Sequence, residues 1–267
     1  MTTSAVLTRI DGPVAYVSLN RPEKLNGVDF DVLQGLLDAA AEVRRHRDVR
    51  AVVLQGEGDS FCAGLDFASV QPQRAKVARF FLTLPWRATN GFQQALWAWR
   101  ELSVPVIAVT HGHVFGAGIQ LALAADFRFT TPDAQWSLLE AKWGLVPDMS
   151  GTVPLVELVG ADVAKRLAIT GETVSGAEAA EIGLASGVAD DPLKPALELV
   201  DAIVARSPDS VAASKKLLNQ VRLGGLRSAF RRERLYQLAM FRSPNTAIAR
   251  KAGLKREQPE FGPRTFG

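Results

Sequence analysis

Apolar residues run in short blocks through the first half of the chain and recur at helical spacing through the second. Val6–Ile10 and Val14–Leu19 flank Asp11-Gly12-Pro13, a pattern that predicts a hairpin closed by a tight turn. Asp29 or Asp31 is placed to cap a helix reaching about Arg47, with Leu33, Leu36, Leu37, Ala40 and Val43 along one face. Ala51–Gln55 reads as a buried strand, and Gln71-Pro72-Gln73 as a loop. Val77–Arg100 reads as helix broken near Pro85 or Asn90-Gly91. Val104–Thr110 is an apolar strand that empties into a glycine-rich stretch, followed by a helical run with little charge. Phe127–Thr130 and Gln135–Leu138 read as short strands, and Ser150-Gly151-Thr152 as a small-residue turn into a helix. Helical spacing then covers 161–170, 176–182, 193–205, 209–221, 225–241 and 244–256, with one more short strand within Gly183–Ala189. The pattern is α/β, with strand–strand–helix turns recurring irregularly. The Arg206-Ser207-Pro208-Asp209 break divides a core, 1–205, from a helical region, 206–267.

Composition narrows the class. A chain of 267 residues, 47% hydrophobic, can bury a large core. No apolar run reaches the eighteen or so residues of a membrane span, and the N-terminus has no apolar signal core, so a cytoplasmic protein is expected. The only cysteine, Cys62, excludes an internal disulfide and fits a reducing compartment. With no histidine near it in sequence, Cys62 reads as a small buried residue rather than a nucleophile. His46, His111 and His113 make no metal-ligand spacing, so no metal site is expected. The net charge is only +3, yet residues 206–267 hold fourteen Lys and Arg against four Asp and Glu. Such a basic segment suits phosphates, nucleic acid or an acidic neighbouring subunit, or is simply a set of solvated helix faces.

Two stretches carry candidate chemistry. In HGHVFGAGIQLALAAD, His111–Asp126, small residues at Gly112, Gly116, Ala117 and Gly118 precede a helix. A strand, a glycine-rich turn and a helix start leave backbone N–H groups free at the first turn. Those groups suit an anion or the oxygen of a polarised carbonyl, although a tightly packed turn has the same composition. In GEGDSFCAGLDF, Gly56–Phe67, a second strand empties into a loop where Ala63, Gly64 and Leu65 offer amides. Two donor loops after two parallel-type strands meet the requirement of an oxyanion hole for a thioester.

FCAGLD, followed some fifty residues later by HGHVFGAGIQLALAAD, resembles the crotonase (enoyl-CoA hydratase/isomerase) superfamily. The likeness extends from LNRPEKLNGV to the basic C-terminal helices. The resemblance implies a crotonase-like spiral of ββα turns with a C-terminal helical trimerisation region, the homotrimers often pairing into hexamers. It implies an acyl-CoA substrate, with coenzyme A entering as part of the thioester and no separate cofactor. Membrane attachment is not expected, nor is nucleic-acid binding. The resemblance assigns the oxyanion N–H groups to Leu65 and Ala117. It places Lys24, Leu25, Ala63, Gly64, Asp66, Phe67 and Gly116 near coenzyme A or the substrate, with Lys255 and Arg256 reaching phosphates across a subunit boundary. Residues 69–103 would line the acyl pocket, where Phe80, Phe81, Leu84, Trp86, Phe92, Trp97 and Trp99 face either substrate or core.

One departure bears on the reaction. Hydratases of this type use two glutamates; the first position holds Gln120 here, and the second is Glu140. An amide orients a water but carries no proton. Eight residues after Glu140 stands Asp148, and that pairing resembles dienoyl-CoA isomerases, which usually have a third acid at the position of Gln120. Isomerisation through Glu140 and Asp148 is the leading reading, with Trp143, Leu145 and Val146 expected to supply an apolar setting that raises their pKa. The alternatives are a hydratase with Glu140 as sole acid/base and Gln120 holding the water, an aryl-CoA dehalogenase with Asp148 as nucleophile, and a non-catalytic RNA- or CoA-binding homologue.

Overall fold

The computed structural model describes residues 4–83, 85–221, 226–255 and 257–267. β1 (Val6–Asp11) and β2 (Val14–Leu19) form the expected hairpin, and α1 (Phe30–Arg45) starts at Asp29, whose side chain accepts from the Asp31 and Val32 amides. β3 (Ala51–Gly56) pairs in parallel with β2. After it come α2 (Phe67–Val70), α3 (Arg74–Phe81) and α4 (Gly91–Arg100). The interruption lies where Pro85 and Asn90-Gly91 suggest, and Asn90 caps α4 in a reciprocal box with Gln93.

The chain then alternates between two sheets. β4 (Val106–Thr110) joins the first sheet, β5 (His113–Phe115) opens a second, and α5 (Ala117–Ala124) follows. β6 (Phe127–Thr130) returns to the first sheet and β7 (Gln135–Ser137) to the second. The turn of the spiral closes with α6 (Thr152–Thr170), β8 (Val174–Ser175), α7 (Gly176–Glu181) and β9 (Gly187–Val188). Strand order is β1-β2-β3-β4-β6-β9 in one sheet and β5-β7-β8 in the other, the ββα spiral that the resemblance implies. β5 has no counterpart in the sequence reading, because three residues bounded by glycine leave no period to detect. Helical spacing over 161–170 belongs to α6, which begins at Thr152 and leaves helical geometry at Gly160 (φ 77°). Of Gly183–Ala189, only β9 is extended.

β3 and β4 carry no polar alternation because both faces are covered. Val52 and Leu54 face the main core with α1, α4 and α5, while Ala51, Val53, Ile107 and Val109 pack under α8 (Leu193–Val204). The remaining helices are α9 (Pro208–Gln220), α10 (Leu226–Arg242) and α11 (Pro244–Lys255). α9 is fastened to the core by buried Lys215, which pairs with Asp126 at 2.6 Å and donates to the Val104 carbonyl at 2.8 Å.

Buried Asp209, near the start of α9, gathers the end of the chain. It accepts from Ser243, Asn245 and Thr265 side chains and from the Thr265 and Phe266 amides. Burial alone would push its pKa up; the hydrogen bonds outweigh it and bring the carboxyl down from 3.8 to about 2. A depressed folded-state pKa means that the stabilisation, roughly 2 kcal/mol, is complete above the ordinary carboxylate range and is lost as pH falls toward 2. Asp209→Asn is therefore expected to melt several degrees lower at pH 7, and to show less loss of stability than wild type between pH 5 and about 2. Urea titrations across that range check it; parallel curves would remove Asp209 as the source.

Candidate active site

The first donor loop is held from two sides. Arg21 pairs with Asp29 at 3.1 Å and with Asp66 at 3.2 Å, and buried Asn26 donates to the carbonyls of Glu57 and Ser60. Asp66 also accepts from the Ser69 hydroxyl and amide, capping α2; these bonds, with Arg21 beside them, hold its carboxyl below the usual range. Val28 and Leu65 form an isolated parallel bridge in which Val28 donates to the Gly64 carbonyl and Asp66 donates to the Val28 carbonyl. That pattern leaves the Leu65 N–H outside the ladder. The Ala63 amide is not free: it donates to the Leu25 carbonyl at 2.9 Å, so Ala63 shapes the loop and does not serve as a ligand donor.

The second donor stands at the start of α5. The Gly116 amide donates to the Ser137 carbonyl, and the helix ladder begins with the Gln120 amide on the Gly116 carbonyl. The Ala117 N–H at the first helical position has no acceptor within the helix. Gly116 makes the turn at φ 49°, and Gly64 lies at φ 97°. A Cβ on Gly116 would lie 3.8 Å from the Gly64 Cα, so the residues beside the two donors touch. The two loops are zipped by the Cys62–Val114 bridge, and Gly118 packs on Cys62. Cys62 is fully buried, and burial pushes its thiol up to about 12, as a structural residue requires.

Glu140 enters this junction from a short helical turn, Leu139–Trp143. Its Oε1 would be 3.6 Å from a Cβ on Gly116, and its Oε2 is buried without a hydrogen-bond partner. Burial raises its pKa; its own amide and Gln120 oppose the rise, and the charge of Asp148 adds to it. Asp148 is an exposed residue whose carboxyl is partly withdrawn from water, which raises its pKa as well. The apolar residues expected to desolvate the pair do not: Trp143, Leu145 and Val146 are all exposed, and Glu140 is covered by the start of α5 instead.

Gln120 is buried, and both ends of its amide are engaged. Its Nε2 donates to Glu140 Oε1 at 2.7 Å, and its Oε1 accepts from the amides of Met149 at 2.9 Å and Gly151 at 3.1 Å. The carbonyl oxygen is thus committed to backbone, so Gln120 does not hold a water through that oxygen. The sequence reading missed these partners. Their one signal is Gly151, where a Cβ would meet the Gln120 side chain at 2.5 Å.

The periphery divides. Phe67 and Trp143, both exposed, stack with ring centroids 5.5 Å apart and form an apolar rim between the first donor loop and the Glu140 turn. Lys24 is exposed, and Leu25 adopts the left-handed conformation at the end of the Pro22–Lys24 turn. Among the aromatic candidates, Trp99 and Phe92 are core, Phe80 packs against Phe30 and Phe92, and Phe81 and Trp86 are exposed. Leu84 and Arg256 lie outside the described residues; Lys255 is exposed at the end of α11. Among the described residues no helix is long and apolar enough to cross a membrane.

Comparisons with known proteins identify the family. The family model for enoyl-CoA hydratase/isomerase matches residues 9–262. The short-chain-enoyl-CoA hydratase of Clostridium acetobutylicum is 30% identical over 223 residues, covering 82% of this chain and 83% of that protein. The (E)-benzylidenesuccinyl-CoA hydratase of Thauera aromatica is 32% identical over 214 residues, covering 79% and 80%. The crystal structure of an enoyl-CoA hydratase from Mycobacterium tuberculosis H37Rv superposes with a TM-score of 0.85 at 27% identity, covering 97% of this chain and 99% of that one. With both donor loops inside the matched span and the spiral reproduced over nearly its whole length, the chain belongs to the enoyl-CoA hydratase/isomerase family.

Proposed function

We propose that the site takes an enoyl-CoA and moves its double bond by proton transfer. The observation that carries the reading is the buried, unpartnered Oε2 of Glu140 beside two free backbone donors. The thioester oxygen sits on the N–H groups of Leu65 and Ala117. Glu140 removes a proton next to the carbonyl, the negative charge spreads into a dienolate held by those donors, and the proton returns at a carbon farther along the chain. Glu140 returns the proton it took, or Asp148 delivers one from its neutral form and is reprotonated at the expense of Glu140 before the next turnover. The raised pKa of Glu140 makes its carboxylate a stronger base than an ordinary one, so proton removal is easier. No step needs an ordered water, which suits a site where Gln120 has no acceptor to spare. Coenzyme A enters as part of the substrate, and the Phe67–Trp143 rim suits an apolar acyl group. Phe230, Leu235, Leu238, Phe241 and Leu254, exposed on α10 and α11, suit the subunit contacts of a homotrimer.

Hydration is the second reading, favoured by the names of the similar proteins, with Glu140 as sole acid/base. Mass spectrometry of a 3-enoyl-CoA, a 2-enoyl-CoA and a 3,5-dienoyl-CoA after incubation in deuterated water separates them. Deuterium incorporation with a shifted double bond and no added water is expected; an added water on the 2-enoyl substrate makes the protein a hydratase. Asp148→Asn is expected to slow isomerisation about a hundredfold. A rate within twofold of wild type would remove Asp148 from the mechanism.

A further inference from the structure

We infer that Gln120 is a positioning residue that locks the Glu140 carboxylate in one orientation, leaving Oε2 as the reacting oxygen, and ties it to the backbone beside Asp148. The side chain is 1% exposed and sits at the point where three elements meet. From α5 it donates to Glu140 on the short turn before the loop, and it accepts from Met149 and Gly151 at the loop's end. Met149 follows Asp148 directly, so one amide group spans both carboxyl-bearing segments.

The chemistry requires an amide. A carboxylate at this position would still accept from Met149 and Gly151, but it would present like charge to Glu140 and could not donate unless protonated. A methionine would leave two buried amides without acceptors and Glu140 free to turn. Only the amide donates on one side and accepts on the other at every pH, so Glu140 titrates against a fixed, neutral neighbour. The groups around it support this. α5 carries no charge, Asp66 in the Gly64 loop is paired with Arg21, Lys142 on the turn itself packs along Gly171, and Asp148 is the charge that acts on Glu140 among the described residues.

The test uses Gln120→Glu, which keeps both backbone acceptors, and Gln120→Met, which removes all three hydrogen bonds. The Glu140 carboxyl is followed by carbon NMR against pH in the unliganded protein, with Glu140→Gln assigning the signal. Gln120→Glu is expected to melt close to wild type while the higher of the pair's two apparent midpoints rises by about one pH unit or more. Gln120→Met is expected to melt lower, to raise the Glu140 midpoint through loss of the donor, and to cut kcat about tenfold with KM within about twofold. A Glu140 midpoint unmoved in both variants would overturn the inference, as would wild-type turnover in Gln120→Met. The turnover arm rests on the proposed reaction; the titration does not. A shifted titration in a protein that turns over no enoyl-CoA would leave the positioning role standing and remove the reaction.

Discussion

Glu140→Gln is expected to lower kcat by about a thousandfold while an acyl-CoA still binds and the melting temperature holds. The substitution keeps the length and shape of the side chain, so the rim and both donor loops stay in place. It replaces the group whose Oε2 faces the junction without a partner with an amide, which neither accepts nor returns a proton at neutral pH. The fold should tolerate it, because a half-buried carboxyl with a raised pKa is a cost to the native state when ionised, and an amide removes that cost. The check is turnover of the substrate identified by mass spectrometry, beside calorimetric binding of a saturated acyl-CoA. Full turnover would remove Glu140 as the acid/base; loss of binding and turnover together would mean that the site had collapsed instead.

Gly118→Ala is expected to cost about a hundredfold in kcat/KM and to lower the melting temperature. A methyl group there would lie 2.5 Å from the Cys62 carbonyl oxygen and 2.8 Å from its Cβ. Neither is the end of a flexible side chain, so α5 must move away from the Cys62–Val114 bridge. Ala117 is expected to move with it and Leu65 is not, which pulls the two proposed oxyanion donors apart. Removing one such donor costs about a hundredfold or more, and misplacement by an ångström costs about as much. A variant that melts lower yet keeps full kcat/KM would show that the donor spacing tolerates the shift.

The sequence makes the frame legible where periodicity is strong. The hairpin, α1 with its Asp29 cap, the buried β3 and β4, and the helices from α7 to α11 all follow from apolar spacing and caps. The two donor loops are legible as well, because glycine at a turn and at a close approach leaves a compositional mark. Two features are not. β5 is too short to show a period, although it carries the zipper to Cys62. The environment of Glu140 is also hidden, because it is set by what lies across space. Trp143, Leu145 and Val146 are neighbours in sequence yet face solvent, whereas Gly116 and Gln120, more than nineteen residues away, cover the carboxyl. The role of Gln120 illustrates the same limit: its type shows that it carries no proton, but only the positions of Met149, Gly151 and Glu140 show what it does instead.

The buried Cys62 has a consequence for how the protein survives its own chemistry. The unsaturated thioester proposed for the site is a Michael acceptor, and a thiolate is the side chain most prone to add to it. The one sulfhydryl in the chain lies three residues from Leu65, the first of the two proposed oxyanion donors. Packing under Gly118 shields the sulfur, and a pKa of about 12 keeps it protonated. On the proposed reaction, the contact that zips the two loops together would also shield the protein from alkylation by its own ligand.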